Sequence, residues 1–452
     1  MMVPFPESSQ WCSLRGVGRP GSPRTNGAMN NLLPADAPAH GWYRFVLSFP
    51  PHLVRSYAER FGLDESSILL DPFCGTGTTV VEAKKLGIPS RGVEALPMAR
   101  LAAATKVDWS PDPDRLMAHA ALVADKALAL LEADGFTDGA TGEIPDGARL
   151  RTPGPEAFKL LLRNSISPLP LHKSLVLVEA LDGEHDPAYS GHERVALAKI
   201  LPSQVGNLRF GPEVGVGAVK ADAPVVGPWL EQVRAMADDL RLLAPRDSTP
   251  TVVSGGDARV LGAGLERATV EAVICSPPYP NEKDYTRTVR LESVLLGMMN
   301  ARPELRETKR RLLRSNTRGV YKVDDDDAWL AADSEVNEIA DAIEERRIAL
   351  GKTSGFERMY HRVTRLYFGG MARHFGSLSR ILKPGARLAY VVGDQASYLR
   401  VMIRTGELLA DVARTAGYEV EGIDLFRTRL ATATGEQLRE EVLLLRWPGR
   451  AT

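Results

Sequence analysis

The chain has 452 residues, of which 44% are hydrophobic and 25% charged, so it can bury a large core and is expected to contain two domains. Its formal net charge of -1 excludes a surface that is basic throughout, so a nucleic-acid site would have to be a local patch. The sequence predicts no membrane span and no secretory signal, and its three cysteines have neither zinc spacing nor a pairing pattern, which favours a location in the reducing cytoplasm.

Residues 1–39 are rich in Pro, Gly, Ser and Asn and lack a periodic apolar pattern, which predicts a disordered N-terminal extension. Met29 stands just ahead of the first recognisable segment, residues 40–53, and our hypothesis is that translation starts there. The folded part of the chain is therefore expected to begin at residue 40.

Residues 68–79 predict a buried strand, a turn with two glycines, and the start of a helix that Gly87 ends. Gly75 and Gly77 allow the backbone to approach a ligand where a side chain would clash. A short strand then ends at Glu94, an acidic residue placed to bind a ribose diol.

The glycine turn differs from phosphate-binding loops of similar sequence. Val80 occupies the third glycine position of the dinucleotide fingerprint, and no lysine follows as in nucleoside triphosphate loops. The turn therefore suits a nucleoside without a pyrophosphate, a description that S-adenosylmethionine fits.

Residues 110–250 form a long insertion between this half of the chain and Asp257. The pattern predicts helices over 116–132, 192–201 and 228–243, loops over 134–154 and 207–213, and a strand or buried segment over 172–181. We expect this insertion to be either a target-recognition region or a helical lid.

The apolar run 273–275 is followed abruptly by Ser276-Pro277-Pro278-Tyr279, which predicts a buried strand that stops at its carboxyl end. Ligands bind at that edge in open α/β sheets. The loop offers a hydroxyl, a proline carbonyl and an aromatic face, which together can hold a flat heterocycle with an exocyclic amine.

A second insertion, residues 301–375, contains helical patterns over 337–349 and 356–375 and a basic cluster. The cluster comprises Lys309, Arg310, Arg311, Arg314 and Arg318, interspersed with Ser315, Asn316 and Thr317. Such a mixture can bind phosphates and contact base edges, although a solvated basic helix face has the same composition. The run 324–327 of four aspartates is expected to be a solvated turn or a helix N-terminus, and not a metal site.

The two loops resemble motifs of the amino-directed DNA methyltransferases, which modify N4 of cytosine or N6 of adenine. Residues 71–79 resemble the cofactor motif of that family, and residues 276–279 resemble its catalytic motif. Supporting resemblances lie at residues 40–53, 256–258 and 382–393. The resemblance covers residues 40–109, 251–300 and 376–447 and leaves the interior segments unexplained.

The resemblance implies S-adenosylmethionine as the cofactor, bound by Asp71, Phe73, Gly75, Gly77, Thr78, Glu94, Asp257 and Phe49. In the catalytic loop we assign the Ser276 hydroxyl and the Pro277 carbonyl as acceptors for the target amine. Pro278 would stiffen the loop, and Tyr279 would stack on a flipped base. The candidates for DNA contact are Arg287, Arg310, Arg311, Arg314, Asn316 and Arg318, and no metal is expected.

The implied fold is α/β: a Rossmann-like S-adenosylmethionine methyltransferase with a mostly parallel seven-stranded sheet, helices on both faces and mainly helical insertions. The expected parts are the extension (1–39), the cofactor-binding half of the core (40–109), the first insertion (110–250), the catalytic part of the core (251–300), the second insertion (301–375) and the C-terminal strands (376–452).

We therefore expect a site-specific methyltransferase for double-stranded DNA. It would form N4-methylcytosine, because within the family a serine at the position of Ser276 is associated with cytosine. The expected setting is restriction-modification or phage defence, with a cognate endonuclease or defence-system partner. N6-adenine methylation, RNA base methylation and a non-catalytic nucleic-acid-binding subunit that retains the fold stay open as alternatives. Asp257 stands only 19 positions before Ser276, and the insertions fall outside this interval, so which insertion reads DNA also stays open.

Overall fold

The computed structural model describes residues 32–45, 48–139, 142–144, 146–210, 213–262, 264–281, 283–332, 334–430, 435 and 437–449. Most of the predicted disordered extension, with Met29, lies outside the described residues. A 3-10 turn over Pro34–Asp36 and the short helix α1 (Ala37–His40) precede the expected boundary. Ordered structure therefore begins earlier than the sequence predicts.

One mixed sheet organises the fold. The strands in chain order are β1 (Leu69–Asp71), β2 (Ser90–Glu94), β3 (Leu208–Phe210), β4 (Val214–Val216), β5 (Thr251–Gly255), β6 (Val270–Cys275), β7 (Leu382–Gly393), β8 (Glu419–Leu430) and β9 (Gln437–Arg446). β3 and β4 form a separate hairpin, and the others form a seven-stranded sheet in the order β5-β2-β1-β6-β7-β9-β8. The first five strands of this order are parallel, and β9 is antiparallel to β7 and β8. The predicted mostly parallel seven-stranded sheet is confirmed.

Helices cover both faces of the sheet and make up most of the insertions. They are α2 (Pro51–Phe61), α3 (Thr78–Lys85), α4 (Pro97–Lys106), α5 (Pro113–Ala133), α6 (Pro155–Phe158), α7 (Pro168–Gly183), α8 (Ser190–Ile200), α9 (Val226–Leu243), α10 (Tyr285–Thr288), α11 (Arg290–Leu295), α12 (Arg302–Arg311), α13 (Glu335–Ala349), α14 (Tyr360–Leu378) and α15 (Thr405–Thr415). Within the described residues, none of these helices combines the length and the apolar character that a membrane crossing requires.

Residues 172–181 lie in helix α7, so the strand reading of this segment is wrong, whereas its predicted burial is right. A short apolar run does not distinguish a buried strand from a buried helix. Here the helical run extends over Pro168–Gly183, and a proline at its start occupies a position where no N–H is needed. The predicted loop 207–213 likewise contains the short strand β3.

The order of the strands places a ligand site between β1 and β6. From β1 the chain crosses to β2, whereas β6 pairs with the opposite edge of β1. This reversal is a topological switch point, and ligands bind outside the carboxyl ends of the strands there. Gly77 shapes the turn after β1, because its φ is +88° and a Cβ atom would lie 3.1 Å from Ala103 of α4.

Candidate active site

A cavity of about 700 Å³ opens at the switch point. The turn after β1 lines one side of the cavity, and the loop after β6 lines the other. Of the predicted site residues, the cavity wall includes Phe49, Phe73, Gly75, Thr78, Glu94, Ser276, Pro277, Pro278, Tyr279, Arg311 and Asn316. The two motifs that the sequence separates by about 200 residues therefore share one site.

Glu94 is held in a fixed orientation by two backbone amides. The N–H of Gly75 donates to Oε2 of Glu94 at 2.7 Å, and the N–H of Leu96 donates to Oε1 at 2.8 Å. Burial raises the pKa of Glu94 to about 7, although these hydrogen bonds oppose the shift. The carboxylate thus links the glycine turn to the end of β2 and also lines the cavity.

Asp71 and Gly77 support the turn from behind and do not line the cavity. Asp71 is buried at the end of β1, and the N–H of Phe73 donates to its Oδ1 at 3.0 Å. Burial raises the pKa of Asp71 to about 7. Its carboxyl group therefore shapes the turn that carries Phe73 into the site.

The segment before α2 contributes Phe49 to the wall and is fastened by Lys106. The buried ammonium of Lys106 donates to the carbonyl of Thr76 at 2.7 Å and to that of Tyr43 at 3.0 Å. Burial lowers the pKa of Lys106 to about 7. This lysine connects the glycine turn to the N-terminal segment, although no local pattern marks it in the sequence.

The hydroxyl of Ser276 donates to the main-chain carbonyl of Val391 on β7 at 3.0 Å. Since the hydroxyl proton is engaged there, the lone pairs of Ser276 Oγ are available to accept a hydrogen bond. The neighbouring Pro277 is buried and also lines the cavity. The loop therefore places the Ser276 hydroxyl at the end of β6, and the acceptor role of the Pro277 carbonyl stays a prediction.

The ring of Tyr279 lies against Gly393 at the end of β7. A Cβ atom at Gly393 would lie 3.1 Å from Cε2 of Tyr279, so a larger residue would displace the ring. Burial raises the pKa of Tyr279 well above its usual value, and Glu440 nearby adds to the shift. The phenol therefore stays neutral, and the ring forms part of the cavity wall.

Asp257 lies outside the cavity wall, although its neighbours Gly256 and Ala258 belong to it. The guanidinium of Arg259 donates to Oδ2 of Asp257 at 2.7 Å and to Oδ1 at 3.0 Å. The backbone beside Asp257 thus reaches the site, while its carboxylate is held by an ion pair.

The basic cluster divides into interior and surface residues. The Arg314 side chain is buried and donates two hydrogen bonds of 2.8 Å to Asp324. The Asn316 amide donates to the Lys283 carbonyl at 3.0 Å. In contrast, Arg311 is exposed and pairs with Glu307. Three further candidates, Arg287, Arg310 and Arg318, lie outside the cavity wall.

The aspartate run leads into a 3-10 turn over Asp326–Trp329, so of the two expectations the helix N-terminus fits and the solvated turn does not. Asp324 binds Arg314, and Asp326 is buried in ion pairs with Arg259 and Arg373. Alternate members of the run thus neutralise interior arginines, while Asp325 stays exposed. Arg259 and Arg373 lie 67 and 47 residues from Asp326, and even Arg314 lies 10 residues from Asp324, so no pattern within the run marks these pairs.

Several wall residues were not anticipated. They are Phe45, Glu213, Gln395, Ser397, Phe426, Arg427, Arg429 and Glu440. Most come from β8, β9 and the segment at the end of β7, where the sequence has no motif of a strand followed by turn residues. The alternation of Arg427 and Arg429 along β8 is the only local signal, because residues two apart on a strand share a face.

Metal ligation has no support in the part of the chain that the structure describes. There, no three histidine, cysteine, aspartate or glutamate side chains group in a way that could hold a metal ion. The acidic residues of the site instead bind backbone amides or arginines.

The sheet order and the cavity at its switch point define the fold of a Rossmann-like methyltransferase. The chain is 25% identical over 408 residues to the Type II methyltransferase M.BsoBI of Geobacillus stearothermophilus, an alignment that covers 84% of this chain and 78% of that protein. It is 29% identical over 168 residues to the Type II methyltransferase M.AvaI of Nostoc sp. and of Anabaena variabilis, covering 35% of this chain and 33% of those proteins.

No family model matches the chain. A solved structure titled "Conversion of a Disulfide Bond into a Thioacetal Group during Echinomycin Biosynthesis" aligns over 88% of this chain and 81% of that chain, with 11% identity and a TM-score of 0.27, which is too low to inform the fold. The relatives support a DNA methyltransferase family for this chain, and the amino-directed subtype stays a prediction.

Proposed function

We propose that the chain is a site-specific DNA methyltransferase that uses S-adenosylmethionine and forms N4-methylcytosine in restriction-modification or phage defence. The observation that carries this proposal is that both loops line one shared cavity at the switch point of the sheet. The relatives named Type II methyltransferases support DNA as the substrate. A cognate endonuclease is the partner expected in such a system.

The β1 side of the cavity fits S-adenosylmethionine. Glu94 offers an oriented carboxylate for ribose hydroxyls, because Gly75 and Leu96 hold both of its oxygens. The rings of Phe49 and Phe73 supply apolar walls. The glycine turn is not followed directly by the lysine that binds phosphates in nucleoside triphosphate loops. When bound, the cofactor would supply an electrophilic methyl group carried on a sulfonium.

The β6 side fits an exocyclic amine. The lone pair of such an amine is delocalised into the ring of the base, which makes the nitrogen a poor nucleophile. Ser276 Oγ and the Pro277 carbonyl would accept its two hydrogens and favour a pyramidal nitrogen, which frees the lone pair. While the Ser276 hydroxyl donates to Val391, its Oγ would act towards the amine as an acceptor. The methylated product is acidic and can lose its proton to water, so no carboxylate base is required.

Tyr279 would stack on the target base once the base has left the duplex. Flipping costs a few kcal/mol of unstacking, and contact with an aromatic face offsets a similar amount. Because Tyr279 is supported by Gly393, its position is fixed before the base arrives, and less ordering is needed on binding.

The choice of cytosine rests on Ser276, and N6 of adenine is the alternative within the same class. Expression in a methylation-free bacterial host, followed by digestion of the genomic DNA to nucleosides and mass spectrometry, tests both. We expect N4-methylcytosine. N6-methyladenine would be consistent with the mechanism but would contradict the assignment of cytosine as the target base. Methyl transfer to RNA alone, or no transfer at all, would overturn the DNA proposal.

A further inference from the structure

Helix α12 carries an arginine stripe, defined by Arg302, Arg306 and Arg310. These residues recur every fourth position and so lie on one face of the helix, about 6 Å apart along its axis. All three are exposed, and no residue of α12 is buried. The stripe therefore faces solvent over the full length of the helix.

Carboxylates near the stripe are bound elsewhere: the ion pair of Glu156 with Lys159 chiefly causes the lowering of the Glu156 pKa, and Arg302 only adds to it. Among the described residues, none of the three arginines forms an ion pair, although Arg310 lies 5.8 Å from the centroid of the Tyr321 ring. By contrast, Arg311 pairs with Glu307 on another face. Like charges four residues apart destabilise a helix by a few tenths of a kcal/mol. A bound polyanion would relieve this repulsion, so the row of arginines is better suited to binding a polyanion than to stabilising α12.

The stripe leads directly to the cavity. α12 ends at Arg311, and residues 311–313 belong to the cavity wall. Arg310, Arg306 and Arg302 thus lie at increasing distance from the mouth of the site. A strand whose base enters the cavity must continue past this mouth, and its phosphates carry one charge per 3.4 Å or so of duplex axis.

The first insertion offers no comparable surface. Residues 110–250 contain 20 Asp and Glu against 14 Lys and Arg, whereas residues 302–318 contain 2 Asp and Glu against 7 Lys and Arg. The first insertion also places Glu213 in the cavity wall. Charge complementarity therefore favours α12 for contact with a phosphate backbone.

We propose that the arginine stripe of α12 binds phosphates of the DNA strand that flanks the target base. This inference rests on the proposed function, because it takes DNA as the substrate. It assigns positioning of the duplex to the second insertion, and it adds Arg302 and Arg306 to the contact residues while leaving the buried Arg314 inside the protein.

The test measures the affinity of the full chain for a fluorescein-labelled duplex of mixed sequence over a series of NaCl concentrations. Each phosphate contact contributes about 0.9 to the slope of log K against log salt, so Arg302→Gln, Arg306→Gln and Arg310→Gln should each flatten the slope by about 0.9. In the triple Arg→Gln variant the slope should flatten by about 2.7. The triple Arg→Lys variant should keep the slope, because it keeps the charges.

Two exposed arginines serve as matched controls. Arg234→Gln lies on α9 in the first insertion and Arg346→Gln on α13, and neither residue lines the cavity. Both should keep the wild-type slope. An unchanged slope in the triple Gln variant, or an equal loss in Arg234→Gln, would overturn the proposal. Tighter, stripe-dependent binding of an RNA strand would reassign the partner to RNA and overturn it as well.

The test is separable from the proposed function. Affinity for S-adenosylhomocysteine, measured by calorimetry, should be unchanged in every stripe variant, because none of these residues lines the cavity. If the wild-type chain bound no cofactor and methylated no base, the proposed function would fail while the salt slopes still reported on the stripe. If the triple Gln variant and the wild type had equal salt slopes while the wild type methylated DNA, the role of the stripe would be refuted and the proposed function would stand.

Discussion

Arg259 and Asp326 form a buried ion pair across 67 residues of sequence. Arg259 follows β5 and also binds Asp257, whereas Asp326 belongs to the second insertion. The Arg259 guanidinium thus helps to fasten that insertion to the core beside the cavity, together with the ion pair of Lys309 with Asp284. The same insertion carries α12, so these pairs also help to set where the arginine stripe lies.

Replacing Asp326 with alanine should strongly destabilise the protein. The substitution leaves Arg259 buried without one of its partners, and breaking a buried pair in this way costs about 3–5 kcal/mol. Urea unfolding followed by circular dichroism measures the loss. Asp325→Ala is the matched control, because Asp325 is exposed and should change the free energy of unfolding by less than about 0.5 kcal/mol. Equal effects of the two substitutions would contradict the structural role of Asp326.

Ser276→Ala should reduce methyl transfer by at least about a hundredfold, the usual effect of deleting one hydrogen-bonding group aimed at a reacting centre. Cofactor affinity should stay within about twofold, because Ser276 lies on the β6 side of the cavity. Single-turnover transfer of labelled methyl groups to DNA and calorimetry with S-adenosylhomocysteine give the two quantities. Tyr279→Ala should behave alike. Transfer that survives both changes would exclude this loop as the active site.

The sequence was sufficient to predict the two loops and the strands that precede them. Residues 68–79 and 273–279 combine an apolar run with turn residues over short distances, so local rules apply. The parallel order around β1 then brings the loops together. Prediction succeeded where one stretch of chain determines both the element and the position of its functional group.

The rest of the site depends on contacts between distant residues. Lys106 joins Thr76 to Tyr43, and no pattern in a helix of alanines indicates a buried ammonium. For the aspartate run the sequence predicts a solvated turn or a helix N-terminus, but not its ion pairs with Arg259 and Arg314, which depend on tertiary packing. Composition describes a charged segment, but only the fold determines whether each charge faces water or a partner.

Glu94→Ala should weaken binding of S-adenosylhomocysteine by about ten- to a hundredfold, since hydrogen bonds to a charged group contribute about 1.5–3 kcal/mol. The pKa of Glu94 is raised to about 7, and the ionised form is the better acceptor for ribose hydroxyls. Affinity of the wild-type chain should therefore rise with pH through about 7. Calorimetry across this range tests the prediction, with Glu59→Ala, at an exposed position of α2, as the control. Unchanged affinity in Glu94→Ala would remove the ribose role.

Glu292 should make the protein less stable at neutral and higher pH than at pH 4. It is buried, accepts a hydrogen bond from Tyr43 at 2.8 Å, and burial raises its pKa from 4.5 to about 7. The folded state therefore holds this proton more tightly than the unfolded state, and the associated stability is lost as pH rises from 4.5 to 7. Glu292→Gln should be about 3 kcal/mol more stable than the wild type at pH 8 and nearly equal at pH 4. Urea unfolding at both pH values measures the difference, and a gap that does not grow with pH would refute it.

Cys74 and Cys275 should be dispensable for chemistry, even though Cys74 lies in the cofactor turn and lines the cavity and Cys275 directly precedes Ser276. Both thiols are buried, and burial raises their pKa values well above the usual range, which disfavours the thiolate that nucleophilic attack requires. Cys74 instead packs against Gly92, where an added Cβ atom would lie 2.6 Å from its Sγ. Cys74→Ala and Cys275→Ala should each retain methyl transfer within about threefold, at a cost of about 1 kcal/mol in stability. Loss of transfer in a folded, cofactor-binding Cys74→Ala variant, with 5-methylcytosine among the wild-type products, would instead make Cys74 a nucleophile towards the pyrimidine ring.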